Sequence, residues 1–219
     1  MALITLVAAG PQGPGSADDN ASRPAGTALP KNGKELPVAI ASAEPALLTV
    51  TTLSGALAPE LADDAPFTER TLWELRTKTV AMAGTPGKTS ATCEGGKVSE
   101  APGATTRCTV TYEGQEVTWS IEFEMLTDDL NSYDITNAGH AVLTAKSVHG
   151  HFLKECNGVS KYLRCDKVPD VEGVAYDQDT GHHCQYASTV DGEARWVDIP
   201  VSVGECGVVF DNGRSPKSF

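Results

Sequence analysis

The sequence predicts an α+β fold made of tandem small domains, each a helix packed on an antiparallel sheet with a disulfide. Three observations predict it. The stretch Cys108 to Met125, CTVTYEGQEVTWSIEFEM, alternates as a β-hairpin turning at Glu113-Gly114, which sets Tyr112 opposite Gln115, Val110 opposite Val117 and Cys108 opposite Trp119. Cys108, Val110, Tyr112, Val117, Trp119, Ile121, Phe123 and Met125 then share one face, and Glu116, Thr118, Ser120, Glu122 and Glu124 take the other. A second hairpin, Cys184 to Val203, turns at Asp191-Gly192, roughly 80 residues on, and places Ile199, Val201 and Val203 where the first has Ile121, Phe123 and Met125. Cys184 lies two residues further from its glycine than Cys108 does, which keeps both cysteines core-facing, because a strand alternates faces with a period of two. Third, a helical pattern and a cysteine precede each hairpin.

In chain order, residues 1–10, MALITLVAAG, have the short apolar run and small residues of a signal-peptide remnant, and are too short to span a bilayer. Residues 11–34 are rich in Pro, Gly, Ser and Asp, the composition of a disordered tether. Through residue 64 the pattern is interrupted by Pro45 and Pro59; a strand around Ala46 to Leu53 is expected there. The first domain spans 65–126. Its helix covers Thr68 to Ala83, with Thr71 and Glu74 as a capping box, Leu72, Leu75, Thr79 and Met82 on one stripe, and Gly84 as the stop. A Cys93–Cys108 bridge would close a loop of roughly 15 residues, contributing on the order of 3 kcal/mol.

Thr127 to Asn137 reads as a polar connector, and the second domain spans 137–212. Its helix is expected from Gly139 to Glu155, with Val142, Ala145, Val148, Phe152 and Cys156 on one face and Gly150 weakening it. Cys165, an acidic loop from Asp170 to Asp179, and the second hairpin follow; CGVVF from Cys206 can add an edge strand. Six cysteines allow 15 connectivities. The parallel between the halves favours Cys93–Cys108 and Cys165–Cys184, leaving Cys156 with Cys206; the competing choice is Cys156–Cys165 with Cys184–Cys206.

At 219 residues, 40% apolar but only 6% aromatic, the chain builds thin cores. Its cysteines lack the Cys-x-x-Cys spacing of a zinc knuckle, so an oxidising compartment is the reading they favour. A net charge of -12 argues against nucleic acid as a partner, since phosphate binding needs clustered Lys and Arg. No stretch reads as an integral membrane segment.

The run ATC at Ala91 to Cys93, followed by PGATTRCTVTYEGQEVTWSIEFE from Pro102 to Glu124 behind an amphipathic helix, resembles the small extracytoplasmic domain of unknown function numbered four-three-three-three, found in actinobacterial secreted proteins and lipoproteins. Cys165 to Val203 is a looser second copy, and Glu94 stands where the family commonly has a proline. The resemblance implies a helix on a small antiparallel sheet with one disulfide, and no established catalytic activity.

His149 and His151 flank Gly150, and His182-His183 precede Cys184; on a helix and on a strand these pairs diverge, so solvated or capping histidines are favoured over a metal site. No Gly-x-Ser-x-Gly elbow supports a catalytic triad. Asp128-Asp129 and the group Asp170, Glu172, Asp177 and Asp179 lack EF-hand spacing. Trp73 and Trp119 belong in the core, whereas Trp196 falls on the outward face of the second hairpin and is the candidate recognition contact. The expected function is therefore a secreted or cell-envelope, noncatalytic binding protein with a protein or cell-wall partner, without enzyme activity, catalytic residues, metal or cofactor. A secreted protease inhibitor is the alternative.

Overall fold

The computed structural model describes residues 29–211 apart from 49, 58, 59, 128, 129 and 157. The residues of the expected signal remnant, most of the expected tether, and Asp128-Asp129 lie outside the described residues, as does the Met125 side chain. The first described elements are β1 (Val38–Ala39), the short helix α1 (Val50–Leu53) and α2 (Phe67–Ala83). Then come β2 (Thr89–Cys93), β3 (Thr105–Tyr112), β4 (Gln115–Thr127), β5 (Leu130–Asn137), β6 (His140–Thr144) and α3 (Ala145–Glu155). The last are β7 (Leu163–Cys165), β8 (Val171–Ala175), β9 (Asp179–Val190), β10 (Glu193–Gly204) and β11 (Gly207–Phe210). The protein is α+β, with helices packed on antiparallel sheets.

A four-stranded sheet runs β2-β3-β4-β5, a five-stranded sheet runs β1-β7-β9-β10-β11, and β6 pairs with β8 alone. Both hairpins have the expected register. Tyr112 faces Gln115, Val110 faces Val117 and Cys108 faces Trp119 in one; Val190 faces Glu193 and Cys184 faces Ile199 in the other. Positive φ at Glu113 and Gly114, and at Asp191 and Gly192, gives both turns the type I′ conformation that matches strand twist. Val117, Trp119, Ile121 and Phe123 are buried, as the alternation requires. Each disulfide joins residues that are direct partners in neighbouring strands, Cys93 with Cys108 and Cys165 with Cys184. Cys156 and Cys206 are free thiols, so the expected third bridge does not form. Cys156 ends α3 in the interior, and Cys206 sits exposed in the tight turn that joins β10 to β11.

Helix α2 begins at Phe67 behind Pro66, without a side-chain cap. The expected capping box does not form: Thr71 is already inside the helix and donates back to the Phe67 carbonyl (3.0 Å), while Glu74 accepts from the Tyr133 hydroxyl (2.7 Å). Gly84 ends the helix in the left-handed region, as expected.

The second helix is shorter than its periodicity suggests. Residues 140–144 form β6, and α3 starts only after Thr144, whose hydroxyl caps it by accepting from Ser147 N (3.1 Å) and donates to the Ala83 carbonyl (2.9 Å). Val142 fits a helical stripe and a buried strand equally, because a short apolar run carries no unambiguous period. Gly150 has a packing reason: a Cβ there would lie 3.1 Å from Glu44 Cβ and 3.1 Å from Leu47 Cδ2, so the glycine lets the preceding segment cross the helix closely.

The expected connector at 127–137 contains β5, whose Tyr133 and Ile135 pack on the core while Ser132, Asp134 and Thr136 alternate with them. The first sheet therefore extends to Asn137. Likewise the expected acidic loop contains β8. A strand at 46–53 is replaced by the turn α1, and the strand of this segment is β1, on the edge of the five-stranded sheet. One continuous buried cluster runs from Leu75, Val110 and Trp119 through Val142 and Phe152 to Cys184, Ile199 and Val203. Helix α2 packs on β2 and β3 and also on β6 and β11, so it contributes to burial in both halves.

Candidate functional site

The long β9–β10 hairpin fixes Trp196 by register. Trp196 pairs with Ala187, Asp198 with Gln185 and Pro200 with His183, on the face opposite Cys184, Ile199 and Val201. Trp196 thus points away from the main core, as its place in the sequence suggests. It is half-buried rather than open, because the chain's own residues before β1 lie over this face as a strap. A Cβ on Gly33, whose φ is +103°, would sit 3.3 Å from Trp196 Cδ1. The Trp196 Nε1 is buried without a hydrogen-bond partner among the described residues.

The strap is held mainly through its main chain. Gln185, only 1% exposed, accepts from Leu36 N (3.2 Å) and donates to the Lys34 carbonyl (3.1 Å) and to Asp198 Oδ1 (3.1 Å). Arg164 donates to the carbonyls of Leu36 and Pro37 and pairs with Glu35 at 3.3 Å. Val38 and Ala39 pair with Cys165 and Arg164, and Ile40 N donates to the Leu163 carbonyl (2.9 Å). Leu36 and Ile40 are buried. Sequence reasoning placed Trp196 on the outward face but missed Gln185, Arg164 and the strap; the signal available was LPVAI at 36–40, an apolar run inside a stretch read by its prolines.

The histidines do not converge. His182 Nε2 lies 2.8 Å from Glu172 Oε2 on β8, whereas His183 faces a different carboxylate: its Nδ1 lies 3.8 Å from Asp166 Oδ2, and its backbone N donates to the same oxygen (2.8 Å). Asp177 occupies a turn and Asp179 accepts from Gly181 N (2.8 Å), a local contact separate from that of Glu172. Among the described residues no group of three or more His, Cys, Asp and Glu is arranged to hold a metal ion.

His149 and His151 sit on α3, where burial lowers both from their ordinary value of 6.5; Glu44 opposes this at His149 and Lys154 adds to it at His151. The sign follows from linkage. The unfolded chain binds protons on these residues more readily, so stability is retained above about pH 6.5 and falls as pH drops below it. Thermal unfolding followed by circular dichroism between about pH 7 and pH 5 is expected to show a falling midpoint, with a shallower fall when both histidines are replaced by Gln. An unchanged slope in the double variant would remove them as the source. Burial, and secondarily Glu155, pushes the Cys156 thiol up to about 12, which keeps it protonated and unreactive.

A concavity of about 280 Å³ opens beside the Cys93–Cys108 disulfide and is lined by Glu94, Gly95, Lys97, Ser99, Thr105 and Thr106. Its base is braced: Val98 N donates to Thr68 Oγ1 (3.1 Å) and Ser99 N to Thr106 Oγ1 (3.0 Å). No helix among the described residues is long and apolar enough to cross a membrane. No protein-family model matches the chain, and no curated protein or solved structure matches it either.

Proposed function

We propose that the chain is a secreted or cell-envelope, noncatalytic binding protein that presents the face around Trp196 to a protein or cell-wall partner. The observation that carries this reading is the outward Trp196, whose buried indole N–H lacks a partner among the described residues. A large amphipathic ring with an unspent donor is the composition of an interface anchor. The two disulfides support an oxidising compartment. The matching order of helix, cysteine strands and hairpin in the two halves supports a tandem arrangement, and the resemblance to the four-three-three-three family rests on the residues quoted for it.

The test places a photoreactive phenylalanine analogue at position 196 in protein produced on intact cells. Cross-links to one recurrent partner or to cell-wall material support the reading; cross-links confined to residues 30–36 of the same chain overturn it. Unreduced peptide mapping of the same protein is expected to show Cys93–Cys108 and Cys165–Cys184, with Cys206 alkylated and Cys156 protected until unfolding.

A second reading, protease inhibition, is favoured by the loop between Cys93 and Cys108, which is closed by the disulfide, anchored by buried Val98 and exposes Glu100, Ala101 and Pro102. Nanomolar inhibition of a protease, lost on substitution within 100–102, would replace the first reading with this one.

A further inference from the structure

We infer that the face occupied by the strap is a receptor groove for an extended peptide segment of a protein partner, with residues 33–40 as its resident occupant. This rests on the binding reading above and gives its partner a chemistry. The central observation is Gln185. Its buried amide takes the N–H of Leu36 and the C=O of Lys34, the two groups that one edge of an extended chain presents at positions i and i+2. Asp198 fixes the amide's orientation by accepting its remaining N–H. A side chain that reads main-chain groups is indifferent to the residues that carry them.

The neighbouring contacts have the same character. Arg164 donates to two successive carbonyls, and the edge of β7 that β1 covers adds the ladder of a strand-addition site. Selectivity comes from the two aliphatic side chains that enter the fold, Leu36 and Ile40, while Pro37 and Ala39 between them are exposed. The fit of the resident occupant is incomplete at one end. Gly33 lies over Trp196 but supplies no acceptor to its Nε1, so a segment carrying an oxygen acceptor near this position satisfies a donor that the strap leaves bare. The partner is therefore an unfolded segment with aliphatic residues four apart and an oxygen acceptor ahead of them that reaches the Trp196 Nε1. Exposed Ala41, Ser42 and Ala43 follow the strap and give it a hinge on which to leave.

The experiment keeps the whole chain. A specific protease site replaces residues 41–43, the protein is cut there, and a fluorescent synthetic peptide of residues 29–41 is titrated in while anisotropy is read. Uptake of the peptide is expected, weakened by about tenfold or more in the Q185A protein, and changed by less than about threefold when peptide positions 35, 37 and 39 are substituted. If cutting unfolds the protein, Gly33→Val in the uncut chain serves instead, since positive φ and the Trp196 ring both resist a branched side chain there and loosen the strap.

Exclusion of the peptide at millimolar concentration by folded, cut protein overturns the inference, as does binding that ignores Gln185. A dimer held by exchanged straps would overturn it in favour of a second copy of the chain. A partner cross-linked at position 196 but not displaced by the strap peptide would leave the binding reading standing and remove the groove.

Discussion

Trp119→Ala is expected to lower the free energy of unfolding by about 3–5 kcal/mol, which would take a large part of the whole of a typical domain's stability. Trp119 is among the largest fully buried side chains, and lies in the stretch where β4 crosses the interior behind the Cys93–Cys108 pair. Its Nε1 donates to Thr79 Oγ1 at 3.1 Å, tying β4 to the middle of α2. Alanine would remove both the ring and this link, leaving a cavity between the sheet and a helix that also packs on β6 and β11. Trp119→Phe separates the two contributions: most of the volume returns, the hydrogen bond does not, and a loss nearer about 1–2 kcal/mol is expected. Urea unfolding at constant slope measures both. A loss below about 1 kcal/mol in the alanine variant would mean that the cluster collapses around the gap, and that α2 is not held where it is by this contact.

Replacing Cys165 and Cys184 together by Ala is expected to cost about 3 kcal/mol, from a bridge that closes a separation of 19 residues. The Cys93–Cys108 bridge, with a separation of 15, has a similar expected cost, so the two differ in where the loss is felt rather than in its size. Cys165 pairs with Val38 on one side and Cys184 on the other, which places the bridge directly behind β1. Its removal should therefore speed amide exchange at Ile40 and Leu36, whose N–H groups bond to Leu163 and Gln185. Removal of Cys93–Cys108 should leave those amides unaffected. Equal acceleration in both variants would show that the strap reports global opening rather than local release.

Legibility followed the strength of the local signal. Glu113-Gly114 and Asp191-Gly192 fixed both hairpins because a two-residue type I′ loop leaves one register, and the apolar alternation then named the buried face. The parallel between the halves favoured Cys93–Cys108 and Cys165–Cys184, which form, but the Cys156–Cys206 pair left over by that count does not. Thr71 was misleading because a threonine inside a helix and one at its cap have the same composition nearby; only the position of Pro66, which starts the helix five residues earlier than a Thr71 cap implies, distinguishes them. β5 was missed since Asn131, Ser132, Asp134 and Asn137 dilute the pattern of Tyr133 and Ile135, although the strand needs only those two inward residues. The strap was illegible for a different reason. Its partners, Gln185 and Arg164, lie about 130–150 positions away, and a buried glutamine cannot be told from an exposed one until something covers it.

The placement of β1 has a mechanical consequence. Every neighbouring pair in the five-stranded sheet is antiparallel, so the edge strands β1 and β11 point the same way. Tension applied to the chain before β1 and after β11 therefore pulls the two edges in opposite directions along the strands, loading their hydrogen bonds in shear, and Cys165–Cys184 forbids β7 and β9 from sliding. The strap lies ahead of that locked ladder and meets the force differently, as a ribbon peeled one contact at a time from Trp196 and then Gln185. A pull too weak to shear the sheet is thus enough to bare the tryptophan.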